Sequence, residues 1–284
     1  MIRLGAMLTD DQLVAFRRDG FVAVRQAVPQ PVVQHCVDVI WQRLAERGVR
    51  RNEPATWTEP LVRIDCPEGG HDGQPFAEAG TASALWQAYD QLLRPGTWWK
   101  RKGVGGTVPV RFPGEADPGD TGWHIEGSYS LDGTGRANLK SRDRGLLALF
   151  LFTDVGPDDA PTRIRVGSHT DAIGFLADAG DDGIDLDLTV PDIARASSDR
   201  PVAHATGAAG DVYLCHPFLV HAANGLHRGT TARIIAQPGV LIMEPFRLTN
   251  RTDAYPVEAT ILDALSTLGR ARDTPRTERL VSRV

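Results

Sequence analysis

The segment GLLALFLF, residues 145 to 152, carries no polar side chain at any position. A strand with one wet face alternates apolar and polar residues, so an unbroken apolar run must be covered on both sides. A second sheet on one face and helices on the other would meet that demand. The run therefore predicts a β-sandwich or barrel backed by helices.

Further strand-like segments surround it: FVAVRQAV (21 to 28), TVPVRF (107 to 112), GWHIEGSY (122 to 129), TRIRVGS (162 to 168), GDVYLCH (210 to 216) and ARIIAQPGVLIM (232 to 243). Helical signals cluster toward the two ends. Thr9 and Gln12 match a capping box for a short helix to about Arg18. Val32, Val33, Cys36, Val39, Ile40 and Leu44 recur at helical spacing before Gly48. Helices are also expected near 82–93 and 256–269, with a frayed basic tail beyond. Residues 51–80 and 131–144 read as loops, and the acidic stretch 176–200 as an excursion with some helix that could serve as a flap. The expected organisation is a single domain over 1–284: helical support with the first strands in 1–106, a β core in 107–245, and a C-terminal helix and tail in 246–284.

Composition excludes several classes. Of 284 residues, 31 are Lys or Arg and 36 Asp or Glu, a net charge of −5 without long runs of one sign, so neither nucleic acid nor a membrane surface is an expected partner. Three irregularly spaced cysteines offer neither a disulfide framework nor a paired-cysteine zinc site. With no signal-like apolar start and no run of ~18 apolar residues, a reducing cytoplasm is the expected location.

Two positions then stand out. His124 and Glu126 lie two residues apart, a spacing that turns both side chains to one face of extended chain, where they could grip one metal ion. A third donor is needed. His216 and His221 both follow a strong strand signal, and periodicity alone does not choose between them, because Pro217 interrupts the register. Arg233 sits among Ala232, Ile234, Ile235 and Ala236, where a buried guanidinium calls for an anion, and its planar fork suits a carboxylate.

Four segments together resemble the phytanoyl-CoA dioxygenase family of iron(II)- and 2-oxoglutarate-dependent oxygenases: VRFPG (110 to 114), WHIEGSY (123 to 129), the run from Arg144 to His169, and the run from Gly210 to Pro238. The resemblance extends from about Leu8 to Pro238. It implies a double-stranded β-helix core of jelly-roll, cupin-like type, with His124, Glu126 and His221 as iron ligands and Arg233 clamping the distal carboxylate of 2-oxoglutarate. Arg111 matches a position that contacts the cosubstrate. His216 becomes a structural residue, and Ser168 and His169 fix a turn. The implied chemistry is oxidation of a C–H bond by O2, by hydroxylation, ring closure or desaturation, with 2-oxoglutarate decarboxylated to succinate. A small molecule of secondary metabolism is the expected substrate, with Trp123 and Tyr129, and more remotely Trp98, Trp99 and residues 131–144, as candidate contacts. Glu126 departs from the aspartate usual in the family. The competing expectations are a zinc hydrolase on a cupin-like barrel, which has no use for a buried carboxylate clamp, and a binding protein that has lost turnover.

Overall fold

A computed structural model describes residues 7–273. In chain order its elements are α1 (Asp10–Asp19), β1 (Phe21–Val24), α2 (Gln30–Ala45), β2 (Leu61–Asp65), α3 (Gly70–Gly80), α4 (Ser83–Leu92), β3 (Thr107–Arg111), β4 (Tyr129–Leu131), β5 (Thr134–Ala137), β6 (Arg144–Leu151) and β7 (Arg163–Arg165). There follow α5 (His169–Leu176), β8 (Ile184–Asp185), α6 (Leu186–Ala196), β9 (Val202–His204), β10 (Val212–Cys215), β11 (His221–Ala222), β12 (Arg233–Ala236), β13 (Gly239–Leu241) and α7 (Pro256–Asp273). The expected basic tail falls beyond the described residues.

β6 is the axis of the molecule. It lies inside a large antiparallel sheet of order β1-β10-β6-β12-β3-β2, and β13 pairs with it beyond the end of β12. Alternate residues divide its two faces. Leu146, Ala148, Phe150 and Phe152 join Cys36, Ile40 and Leu44 of α2 and Leu85 and Leu92 of α4 in one core layer. Leu147, Leu149 and Leu151 join Ile164, Tyr213, Cys215, Leu219 and Ile235 in a second layer, between this sheet and a smaller one of order β11-β7-β9. The apolar run is thus covered twice, by helices outside and by the opposing sheet inside. The result is a predominantly β, helix-backed arrangement of antiparallel sheets. β4, β5 and β8 form a third small sheet, and α6, leading out of β8, packs against β5.

Local signals explain several boundaries. Thr9 and Gln12 form the reciprocal capping box of α1, and Gly20, at φ 86°, ends it in the left-handed conformation that glycine adopts without a Cβ penalty. A Cβ at Gly20 would also stand 2.5 Å from His169 Nδ1, so the turn must be bare there.

The structure corrects five expectations. Residues 51–80 hold β2 and α3, hidden because LVRID is short and charged and because α3 contains Pro75. β1 ends at Val24, where the chain turns through Gln26 at φ 49°. Residues 131–144 contain β5 in place of a simple loop. ARIIAQPGVLIM divides at Gln237-Pro238 into two strands. GWHIEGSY is not a ladder strand: before β4 it carries one bridge, His124 to His221, and a hydrogen bond from the Ser128 amide to the Arg136 carbonyl.

Candidate metal centre and anion pocket

That one bridge builds the centre. His124 and His221 exchange both backbone hydrogen bonds at 3.0 Å, so they are directly opposed and share a face. Their rings lie 4.5 Å apart. His221 is also opposite Ile164, a member of the inter-sheet core, which turns that face inward. Ser168 accepts a hydrogen bond from the Val220 amide at 2.9 Å and fixes the backbone just before His221. Glu126, two residues past His124, brings its Oε1 to 3.4 Å from His221 Nε2. One donor atom from each of His124, Glu126 and His221 lies within 4.8 Å of the others.

Both imidazoles are oriented by backbone. His124 Nδ1 meets the Gly122 carbonyl at 2.8 Å and His221 Nδ1 the Leu219 carbonyl at 3.0 Å. A carbonyl only accepts, so each Nδ1 carries the proton and each Nε2 keeps its lone pair for a cation. Burial and the neighbouring His221 lower the pKa of His124, which favours its neutral, ligating form. Burial alone would raise the Glu126 carboxyl. The close approach of His221 and the charge of Arg144 overcome it and hold the group at about 2, so it is ionised at neutral pH.

A second cluster lies on the neighbouring strands. Arg111 of β3 and Arg233 of β12 are register partners, 1% and 2% exposed. Val110 and Ile234 face the helices, so the two guanidinium groups turn into the barrel. Asp120 is ion-paired to Arg111 and to Arg63 of β2. Arg233 donates to the Ala160 carbonyl at 2.7 Å. Arg111 Nε and Nη1 and Arg233 Nε have no partner. Burial, then the charge of Arg111, lowers the Arg233 pKa to about 9. Two cations thus share one carboxylate, a third lies beside them, and buried donors are left to spare. Asp120 perturbs both Arg233 and His124, which puts the arginine cluster and the histidine pair within electrostatic reach of one side chain.

The remaining expected residues fall elsewhere. His216 packs against His169 (4.9 Å between rings) and Phe16. Its Nδ1 accepts from the Phe218 amide. Trp123 stacks under Arg163 and Arg165, with guanidinium carbons 4.7 and 4.3 Å from its ring centre. These arginines flank Ile164, so alternation sends them to the outer face of the small sheet. Tyr129 lies under Arg142 and donates to the Asp181 carbonyl at 3.1 Å. Trp98 is buried among Trp86 and Tyr89, whereas Trp99 is 60% exposed. His35, His71 and His204 are exposed.

Three residues that sequence reasoning passed over complete the site. Arg144, half-buried, reaches Glu126 Oε2 at 3.3 Å. Arg63 and Asp120 join the buried arginine pair through the ion pairs of Asp120. Arg144 stood directly before the apolar run, and Asp120 four residues before His124, but neither has a local pattern that names its distant partner.

Several solved structures share this architecture. The chain aligns with the non-heme α-ketoglutarate-dependent carbocyclase SnoK from nogalamycin biosynthesis over 84% of each chain, at TM-score 0.52 and 16% identity. HygX from Streptomyces hygroscopicus, crystallised with nickel and 2-oxoglutarate, aligns over 81% of this chain and 85% of its own, also at 0.52 and 16%. The epimerase SnoN, likewise from nogalamycin biosynthesis, aligns over 83% and 82%, at 0.51 and 18%. No curated protein sequence matches the chain. The fold class is therefore that of the cupin-like 2-oxoglutarate oxygenases. The model of the phytanoyl-CoA dioxygenase family (PhyH) matches residues 16–233, and the chain belongs to that family. It is accordingly a 2-oxoglutarate-dependent non-heme iron oxygenase. Among the described residues no helix is long and apolar enough to cross a membrane.

Proposed function

We propose that His124, Glu126 and His221 hold iron(II), that Arg233 and Arg111 bind the distal carboxylate of 2-oxoglutarate, and that the enzyme oxidises a C–H bond of a small molecule. The observation that carries this reading is the pairing of two unsatisfied features in one barrel: imidazoles presenting free Nε2 lone pairs beside a charged carboxylate, and buried guanidinium donors lacking an acceptor. A dianion with a carboxylate at each end answers both, since one end can chelate a metal and the other can neutralise the arginines. Two imidazoles and one carboxylate leave positions for cosubstrate and oxygen on an octahedral ion. When bound, the iron supplies the oxidising chemistry that couples decarboxylation of the keto acid to attack on the substrate.

The chain's own residues perform the rest. Gly122 and Leu219 lock the imidazole tautomers through their carbonyls. Arg233, buried between strands, fixes the cosubstrate's far end where water cannot compete. β4, β5, β8 and α6 lie next to Glu126: a Cβ added at Gly127 would meet Leu186 at 3.3 Å. By analogy with SnoK and SnoN we extend the proposal to a substrate of secondary metabolism, met by residues of these elements, Tyr129 among them. A hydrolytic zinc centre would leave the paired arginines without a task. The test is incubation of purified protein with iron(II), 2-oxoglutarate, oxygen and a metabolite pool. Succinate should form, faster with the pool than without, and Arg233→Ala should raise the 2-oxoglutarate requirement sharply. No succinate under any of these conditions would refute the proposal.

A further inference from the structure

The two oxygens of Glu126 have different neighbours. Oε1 is 3.4 Å from His221 Nε2, whereas Oε2 is 3.3 Å from a terminal nitrogen of Arg144. Arg144 also donates from Nε to the Gly127 carbonyl at 3.0 Å, so one guanidinium is hydrogen-bonded to the backbone of residue 127 and ion-paired to the side chain of residue 126. This pairing is built into the sheet. Arg144 opens β6, and a Cβ at Gly239 on the neighbouring strand would stand 2.9 Å from its other terminal nitrogen. Among the described residues, Glu126 is the one carboxylate within ion-pair reach of Arg144.

A cation beside a metal centre repels the metal, so tighter ion binding does not account for this arrangement. Its geometric effect is different. A glutamate on a flexible arm can present one or both oxygens to a divalent ion. With Oε2 held by Arg144, Glu126 offers one. A second oxygen would take a coordination position that a chelating keto acid needs. We propose that Arg144 is a positioning residue that restricts Glu126 to one-oxygen ligation and so preserves the cosubstrate's place; the proposal rests on the reading of the His124, Glu126 and His221 cluster as the iron site.

The test uses cobalt(II), whose visible absorption reports coordination number, with the full chain freed of metal. The wild type should bind one cobalt and then respond to 2-oxoglutarate. Arg144→Gln should bind cobalt as tightly or more tightly, show an altered spectrum before 2-oxoglutarate is added, and bind 2-oxoglutarate about tenfold more weakly, the scale of effect typical of residues that orient a ligand. Glu126→Asp supplies the control, because a side chain shorter by one carbon–carbon bond, about 1.5 Å, withdraws from Arg144 and lacks the reach to turn both oxygens on the ion. In that background Arg144→Gln should cost nothing further, a non-additivity that general damage to the fold would not produce. An unchanged spectrum and cosubstrate affinity in Arg144→Gln, or an equal loss in both backgrounds, overturns the proposal. Failure of the wild type to bind cobalt overturns the metal-site reading itself, and is visible before any variant is made.

Discussion

Arg233→Met isolates the cost of burying a guanidinium beside Arg111. The guanidinium is buried beside the like charge of Arg111, and its pKa falls from the ordinary arginine range to about 9. At 1.36 kcal/mol for each factor of ten, that fall corresponds to ~5 kcal/mol of destabilisation from carrying the charge. The sign follows from protonation. At neutral pH both folded and unfolded chains keep the proton, so the full cost is present, and it is relieved only as pH rises above 9. Methionine retains most of the aliphatic volume and removes the charge. It also leaves the Ala160 carbonyl without its 2.7 Å donor, a loss of ~1–3 kcal/mol. The metal-free, cosubstrate-free variant should therefore be more stable than wild type by about 3 kcal/mol, a rise in Tm of about 6–12 °C. Saturation with nickel and 2-oxoglutarate at a hundredfold above Kd should stabilise the wild type by about 2.7 kcal/mol beyond nickel alone. The variant should show little of that increment. Differential scanning calorimetry with and without ligands measures both effects. A variant less stable than wild type without ligand, or one with the full 2-oxoglutarate increment, would refute the reasoning.

Three more outcomes are expected. His221→Ala should abolish stoichiometric metal uptake, whereas His216→Ala should leave it intact and lower only stability; metal analysis after gel filtration separates them. His169 is buried, which lowers its pKa to about 4. A base depressed on folding destabilises as pH drops, because the unfolded chain takes up the proton first. Wild type should thus lose up to about 3 kcal/mol between pH 6.5 and 4, and His169→Gln should lose less over the same window in denaturant titrations. Gly183→Ala should loosen the β4-β5-β8 sheet. Its backbone is at φ 68°, and an added Cβ would stand 2.4 Å from the Ala137 carbonyl oxygen and 2.5 Å from the Tyr129 hydroxyl. That strain, of about 1–3 kcal/mol, should appear as faster proteolysis within residues 177–185 and an unchanged metal stoichiometry.

What the sequence disclosed about the fold came from patterns that are local. An eight-residue apolar run can be satisfied in few ways, so GLLALFLF announced a strand covered twice, and Thr9 with Gln12 announced a helix start. The His124 and Glu126 spacing worked for a narrower reason than strand alternation, since one bridge to His221 holds the chain where a full ladder would have. Pairings between distant segments left no trace. Arg144 binds a carboxylate eighteen positions upstream, and Asp120 ties together two strands that only folding brings side by side. β2 and α3 escaped notice because tertiary contacts sustain a short charged strand and a helix with an internal proline against their own propensities. Periodicity did not separate His221 from His216; the family resemblance chose His221, and in the fold His221 lies beside His124 whereas His216 faces Phe16 and His169.

The most direct measurement is anomalous diffraction from crystals grown with manganese(II) and 2-oxoglutarate under anaerobic conditions. The account predicts one peak in coordinating contact with His124 Nε2, His221 Nε2 and a single oxygen of Glu126, with the keto acid's distal carboxylate on Arg233 and Arg111. A metal held elsewhere, or a cosubstrate whose carboxylate leaves both arginines unpaired, would contradict it.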